Sequence, residues 1–168
     1  VHCVVLTGSV SEGLRLQPAA GQAIAVMGLA LQRFTSAAIE ADGAGSVRIW
    51  GNTFGVVTNP LVPPGFLGDA IAVNGTDGSY IGGSGGTRVN LIGNADGAGV
   101  RLTGCSGCSV RGNLIGVRPD GYSELGNGVG VLVLGGNGAI ADNVIGHSAT
   151  QGVRIEGETA SYSVTFNR

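Results

Sequence analysis

One short pattern recurs along this chain and restricts its fold more than any other feature. It appears as Gly51-Asn-Thr-Phe-Gly55, Gly112-Asn-Leu-Ile-Gly116 and Asp142-Asn-Val-Ile-Gly146. Asn90-Leu-Ile-Gly93 is the same pattern without the leading glycine, and Val164-Thr-Phe-Asn167 is a partial copy. A second repeat is a short β-branched run: Leu14–Leu16, Ile39–Ala41, Ile71–Val73, Val100–Leu102, Val131–Val133 and Val153–Ile155. Two of the intervals between runs hold an extra segment, Val56–Leu67 and Val117–Leu125; without them the unit is 22–29 residues. Self-similarity at such a period marks stacked supersecondary units that share one continuous core.

Each unit is strand-like inside, because apolar residues alternate with small or polar ones over three to five positions. Glycine, 33 of 168 residues, punctuates every run and leaves little room for a helix. The one glycine-free stretch of helical length, 29–42, splits into strands because Ile39-Glu-Ala41 falls in register with the other runs. A second set of strands falls at Val47–Ile49, Tyr80-Ile81, Cys108–Val110, Ala139-Ile140 and Ser163-Val164. A third falls at Phe54, Leu91-Ile92, Leu114-Ile115 and Val144-Ile145. Three strands per unit predict an all-β parallel solenoid, a single-stranded β-helix. It would have about six coils spaced ~4.8 Å apart and three short parallel sheets. An antiparallel sandwich competes, but would not require side chains to recur at a fixed offset from Asn. The whole chain, 1–168, forms one domain in this reading, with an N-terminal edge strand in 1–12.

The repeated asparagine follows from such a stack. A bend between strands favours the left-handed region, which Asn tolerates, and its amide both donates and accepts toward neighbouring coils. Asn52, Asn113, Asn143 and Asn167 are expected to form a ladder, with Asn90 at a related corner. Sugar binding is the competing role for these residues and is disfavoured because they point inward or along the turn.

Composition narrows the function. Only 20 residues are charged, all nine bases are Arg, and the net charge is −2, which argues against a nucleic-acid surface. With 43% apolar residues the chain is not of the disordered class. The glycines lack the three-residue period of collagen. No apolar run approaches 18 residues, so no membrane insertion is expected. Cys105-Ser-Gly-Cys108 is a single CxxC without a second pair, and His2 and His147 lie far off in sequence, so no zinc, other metal or cofactor is expected. Cys3 adds nothing about redox compartment.

The stretch Gly112-Asn-Leu-Ile-Gly-Val-Arg-Pro-Asp-Gly-Tyr-Ser-Glu-Leu-Gly-Asn-Gly-Val-Gly-Val-Leu-Val133 resembles the β-helix repeats of the pectin lyase-like superfamily, closest to those of bacterial secreted and surface proteins. The resemblance runs from Gly13 to the end. It implies right-handed coiling, an extracellular or cell-surface location, and polysaccharide as the ligand class. Fold alone does not fix activity.

Lyases of that superfamily hold calcium with clustered acids on the outer face of the first sheet and use an Arg as base. Here the outward column reads Arg15, Glu40, Ala72, Arg101, Leu132, Arg154, with one acid. Calcium wants six to eight oxygens. The related hydrolases need clustered acids, an Asp-Asp pair among them, and none exists in this sequence. Were there catalysis, Arg101, Arg154, Glu156 and His147 are the candidates. The two extra segments leave one corner and are expected to protrude, displaying Phe66, Tyr122 and Arg118 near an outward Trp50. These four form the expected ligand or partner surface. The expected function is a non-catalytic structural or adhesive segment of a larger extracellular protein. A polysaccharide-binding module is the alternative, and a lyase or hydrolase the less favoured one. The chain opens at Val1 without Met, and its last motif stops inside a coil at Arg168. Both ends therefore predict a longer parent rod, neighbouring β-helix coils or end-to-end self-association.

Overall fold

The computed structural model describes residues 4–7, 11–56 and 68–168, and no helix occurs among them. In chain order the strands are β1 (Val4–Thr7), β2 (Glu12–Leu16), β3 (Ala23–Met27), β4 (Leu29–Gln32), β5 (Ala37–Asp42), β6 (Ser46–Trp50), β7 (Thr53–Phe54) and β8 (Asp69–Asn74). Then come β9 (Tyr80–Gly82), β10 (Leu91–Ile92), β11 (Ala98–Arg111), β12 (Leu114–Ile115), β13 (Val129–Ala141), β14 (Val144–Ile145), β15 (Gln151–Glu156) and β16 (Ser161–Thr165). The segment 29–42 is two strands, β4 and β5. Strand β3 was not foreseen: Ala-Ile-Ala-Val-Met has no polar residue to mark a period of two.

Every pairing between these strands is parallel. A smaller sheet has the order β1-β4-β7-β10-β12-β14. The larger sheet is bent and has two limbs. In the first limb, β2, β5, β8 and β15 align with the first halves of β11 and β13. In the second, β3, β6, β9 and β16 align with their later halves. The chain therefore visits first limb, second limb and small sheet in a fixed order, again and again. Parallel neighbours require such returns, since no tight hairpin can join them.

Equivalent apolar residues stack in rows. Ile39, Ile71, Val100 and Val131 are partners in register and fully buried, as are Ala41, Val73, Leu102 and Val133. Ile49, Ile81, Val110 and Ile140 form the second-limb row, and Phe54, Ile92 and Ile115 that of the small sheet. Burying an aliphatic side chain of this size contributes about 1.5–3 kcal/mol, so these rows dominate the fold.

The corner before β7, β10, β12 and β14 holds a row of asparagines that Asn167 extends. Asn52 Nδ2 donates to Asn90 Oδ1 (3.2 Å), Asn90 to Asn113 (2.9 Å), Asn113 to Asn143 (3.0 Å) and Asn143 to Asn167 (2.9 Å). Asn90, expected at a related corner, thus stands in the row itself. The second amide hydrogen of Asn113 goes to the Ile81 carbonyl (3.0 Å), and the Asn143 Oδ1 also accepts from the Asn113 backbone N–H (3.0 Å). The conformational reason given for asparagine needs correcting. The left-handed residue is the one before it: Gly51 (φ 64°), Gly112 (φ 63°), Asp142 (φ 59°) and Phe166 (φ 54°). Asparagine is there for its amide, which satisfies buried backbone groups that would otherwise be unpaired.

Candidate functional site

The outer face of the first limb carries more acid than one column suggests, because neighbouring positions face outward too. Asp42, Asn74, Thr103, Leu134 and Glu156 form a second outward row in register. The Arg15 guanidinium donates to Asp42 (2.6 Å) and holds its carboxyl below the usual range. Arg101 donates to Asp69 (2.6 Å), Asn74 (3.2 Å) and Thr103 (3.3 Å). Arg154 pairs with Glu156 on its own strand. Burial first, then Glu12, pushes the Glu40 carboxyl up. Arg101 and Arg154 share a column with Leu132 between them. His147 lies elsewhere, with its Nε2 2.6 Å from the Tyr122 carbonyl oxygen. The four candidates Arg101, Arg154, Glu156 and His147 are therefore not brought into one site. Among the described residues no group of three or more His, Cys, Asp or Glu could hold a metal ion.

The segment 117–125 is a small hairpin, closed by the antiparallel bridge Val117–Glu124 and by the Arg118 N–H on the Ser123 carbonyl (2.8 Å). Asp120 accepts from the Tyr122 and Ser123 backbone N–H groups (2.8 Å each) and from the Ser123 hydroxyl, which holds its carboxyl down to about 2. Tyr122 is 80% exposed and Arg118 is exposed as well. Phe66 lies outside the described residues, as do Cys3, His2 and most of the other extra segment. Tyr122, Asp120, His147 and Arg168 line a shallow groove of about 340 Å³.

A second groove, about 290 Å³, lies on the outer face of the second limb and is lined by Arg48, Trp50, Gly78, Tyr80, Gly82 and Arg88. Arg48 and Tyr80 are register partners on β6 and β9, and Trp50 follows Arg48 by two residues on the same face. Both aromatics are half-buried and both arginines exposed. Arg88 comes from the link between β9 and β10, which is eight residues long (83–90), where the equivalent link between β12's predecessor β11 and β12 has two. The Arg88 stem lies across Gly83: a Cβ there would stand 3.1 Å from the Arg88 Cβ and Cδ. Trp50 was expected to face outward beside Phe66, Tyr122 and Arg118, but it lines this groove while Tyr122 lines the other. Arg48, Tyr80 and Arg88 were not foreseen, since only the register brings residues so far apart in sequence together.

The two cysteines of the CxxC are buried where β11 bends from one limb to the other, with a register shift between them. Thr76 Oγ1 lies 3.5 Å from Cys105 Sγ and 3.6 Å from Cys108 Sγ, and accepts from the Ser79 hydroxyl (2.7 Å). On the neighbouring strand β13, Cys105 and Cys108 face Gly136 and Gly138, and a Cβ on Gly138 would stand 2.9 Å from the Tyr162 ring. The neighbouring Cys108 thiol first, then burial, pushes the Cys105 thiol up. Burial, then the thiols, pushes the Tyr162 hydroxyl up too.

Compared with protein-family models, curated proteins and solved structures, the chain finds no match in any of the three.

Proposed function

We propose that the chain is a right-handed parallel β-helix segment with a non-catalytic structural or adhesive role in a larger extracellular or surface protein. The observation that carries this reading is the unbroken parallel register Leu14–Ile39–Ile71–Val100–Val131–Val153. Parallel strands joined by crossovers are right-handed in about 98% of cases. The extracellular setting rests on the resemblance of Gly112–Val133 to the repeats of the pectin lyase-like superfamily. Arginines on the outer first-limb face are engaged by Asp42, Asp69 and Glu156, which supports a solvated structural face over a base poised for chemistry.

Incubation with acidic and neutral polysaccharides, with and without Ca²⁺, is expected to release neither unsaturated uronates nor reducing ends. Release that Arg101→Ala or Arg154→Ala abolishes would replace this reading with an enzyme. A second reading, a polysaccharide-binding module, is favoured by one observation, the aromatic and arginine-lined groove on the second limb.

A further inference from the structure

We infer that the groove formed by Arg48, Trp50, Tyr80 and Arg88 binds an acidic sugar unit of a polysaccharide, a pyranose ring bearing a carboxylate. The inference rests on the saccharide-binding reading and assigns it a place and a ligand charge. The aromatic pair supplies flat apolar area with polar edges, suited to a ring that is apolar on its face and hydroxylated at its rim. The groove's 290 Å³ is at the small end of ligand sites, which run from about 300 Å³, and suits a single ring.

The charge comes from the arginines. Among the described residues neither Arg48 nor Arg88 makes an ion pair, whereas Arg15, Arg101, Arg111 and Arg154 all do. No carboxylate lines the groove. A guanidinium matches a carboxylate with two parallel hydrogen bonds. Gly82, at the edge of the groove, is required by the packing beneath it: a Cβ there would meet the Arg111 carbonyl and the buried Asn113 amide. A long link on an otherwise regular scaffold, here 83–90 with its Arg88, is where binding residues collect. Nucleic acid is the lesser fit. Its affinity comes from many phosphate contacts, and this chain offers two unpaired cations on that face at a net charge of −2.

Trp50 is the single tryptophan of the chain, so its fluorescence reports on the groove alone. The probes are a linear hexauronate, the uncharged hexaglucoside and a six-nucleotide oligouridylate, with calorimetry in parallel. Hexauronate is expected to change Trp50 emission saturably, more tightly than the other two and more weakly at high salt. Arg48→Gln and Arg88→Gln should each weaken binding about tenfold, with unchanged urea midpoints because both side chains are exposed. Hexauronate heat with unchanged Trp50 emission, unaffected by either Arg variant, would overturn the groove while leaving saccharide binding intact. No heat with any sugar would overturn both. Equal binding of the hexaglucoside would remove the charge requirement, and tighter binding of oligouridylate would make the ligand a nucleic acid.

Discussion

Asn113 shows what a single side chain does in this structure. It donates to Asn143 and to the Ile81 and Arg111 carbonyls, and it accepts from Asn90. Replacement by alanine leaves buried groups unpaired in the neighbouring segments on both sides, so Asn113→Ala is expected to cost about 1–3 kcal/mol. Asn167→Ala removes a less buried member with one neighbour in the row and should cost less. Exposed Glu158→Ala should stay within about 0.5 kcal/mol. Urea midpoints compare the three, and equal midpoints for Asn113→Ala and Glu158→Ala would end the case for the row. The asparagine spacing was legible because a motif carried it. Asn90, expected at a related corner, lies in the row although Val89, not glycine, precedes it. The polar cluster of Thr76 and Ser79 with the two thiols left no mark in sequence: nothing about Thr76 indicates that a cysteine 29 residues on will lie against it.

Among the elements, the 117–125 hairpin makes the sharpest prediction about pH. Its carboxylate Asp120 titrates at about 2, below its ordinary value near 3.9. A depressed folded-state value means the stabilisation is complete above about 3.9 and is lost as pH falls toward 2. The Tyr122 and Ser123 amide NMR signals should hold their positions from neutral pH to about 4 and move only in the interval below it. Movement centred near 3.9 would show that the hydrogen bonds to Asp120 do not persist in solution. That a loop projects here was legible from the interval between repeats. That Asp120 ties the loop together was not, because its partners are two backbone groups and a serine that any turn might contain. The short strands of the small sheet were legible only through the repeat: two residues such as Leu114 and Ile115 show no period of their own.

For the molecule as a whole, the distance between parallel neighbours is set where backbone meets backbone. Gly116 and Gly121 have nearly the same left-handed φ, 75° and 76°. A Cβ on Gly116 would press on the Gly146 carbonyl beside it, while one on Gly121 meets open space. Alanine at Gly121 should therefore cost about 1 kcal/mol, from backbone conformation alone. Alanine at Gly116 should cost clearly more, and thermal unfolding of the two variants measures the spacing term by difference. Equal losses would mean that these neighbouring segments part without penalty. The parallel stacking was legible because every repeat reinforced it. The groove was not, because it depends on how strands 32 residues apart are laid side by side.

The links of unequal length carry a consequence of their own. Between β9 and β10 the chain spends eight residues, and between β12 and β13 it spends thirteen, while the rows of Ile, Val and Asn pass by without a break. Insertions and deletions at the exposed positions of these links, such as 84–88 and 118–120, leave the buried Asn90, Val117, Leu125 and Asn127 of the same links untouched. A lineage built this way can acquire, trade or discard a recognition surface by splicing a few codons, with no need to re-evolve the scaffold beneath.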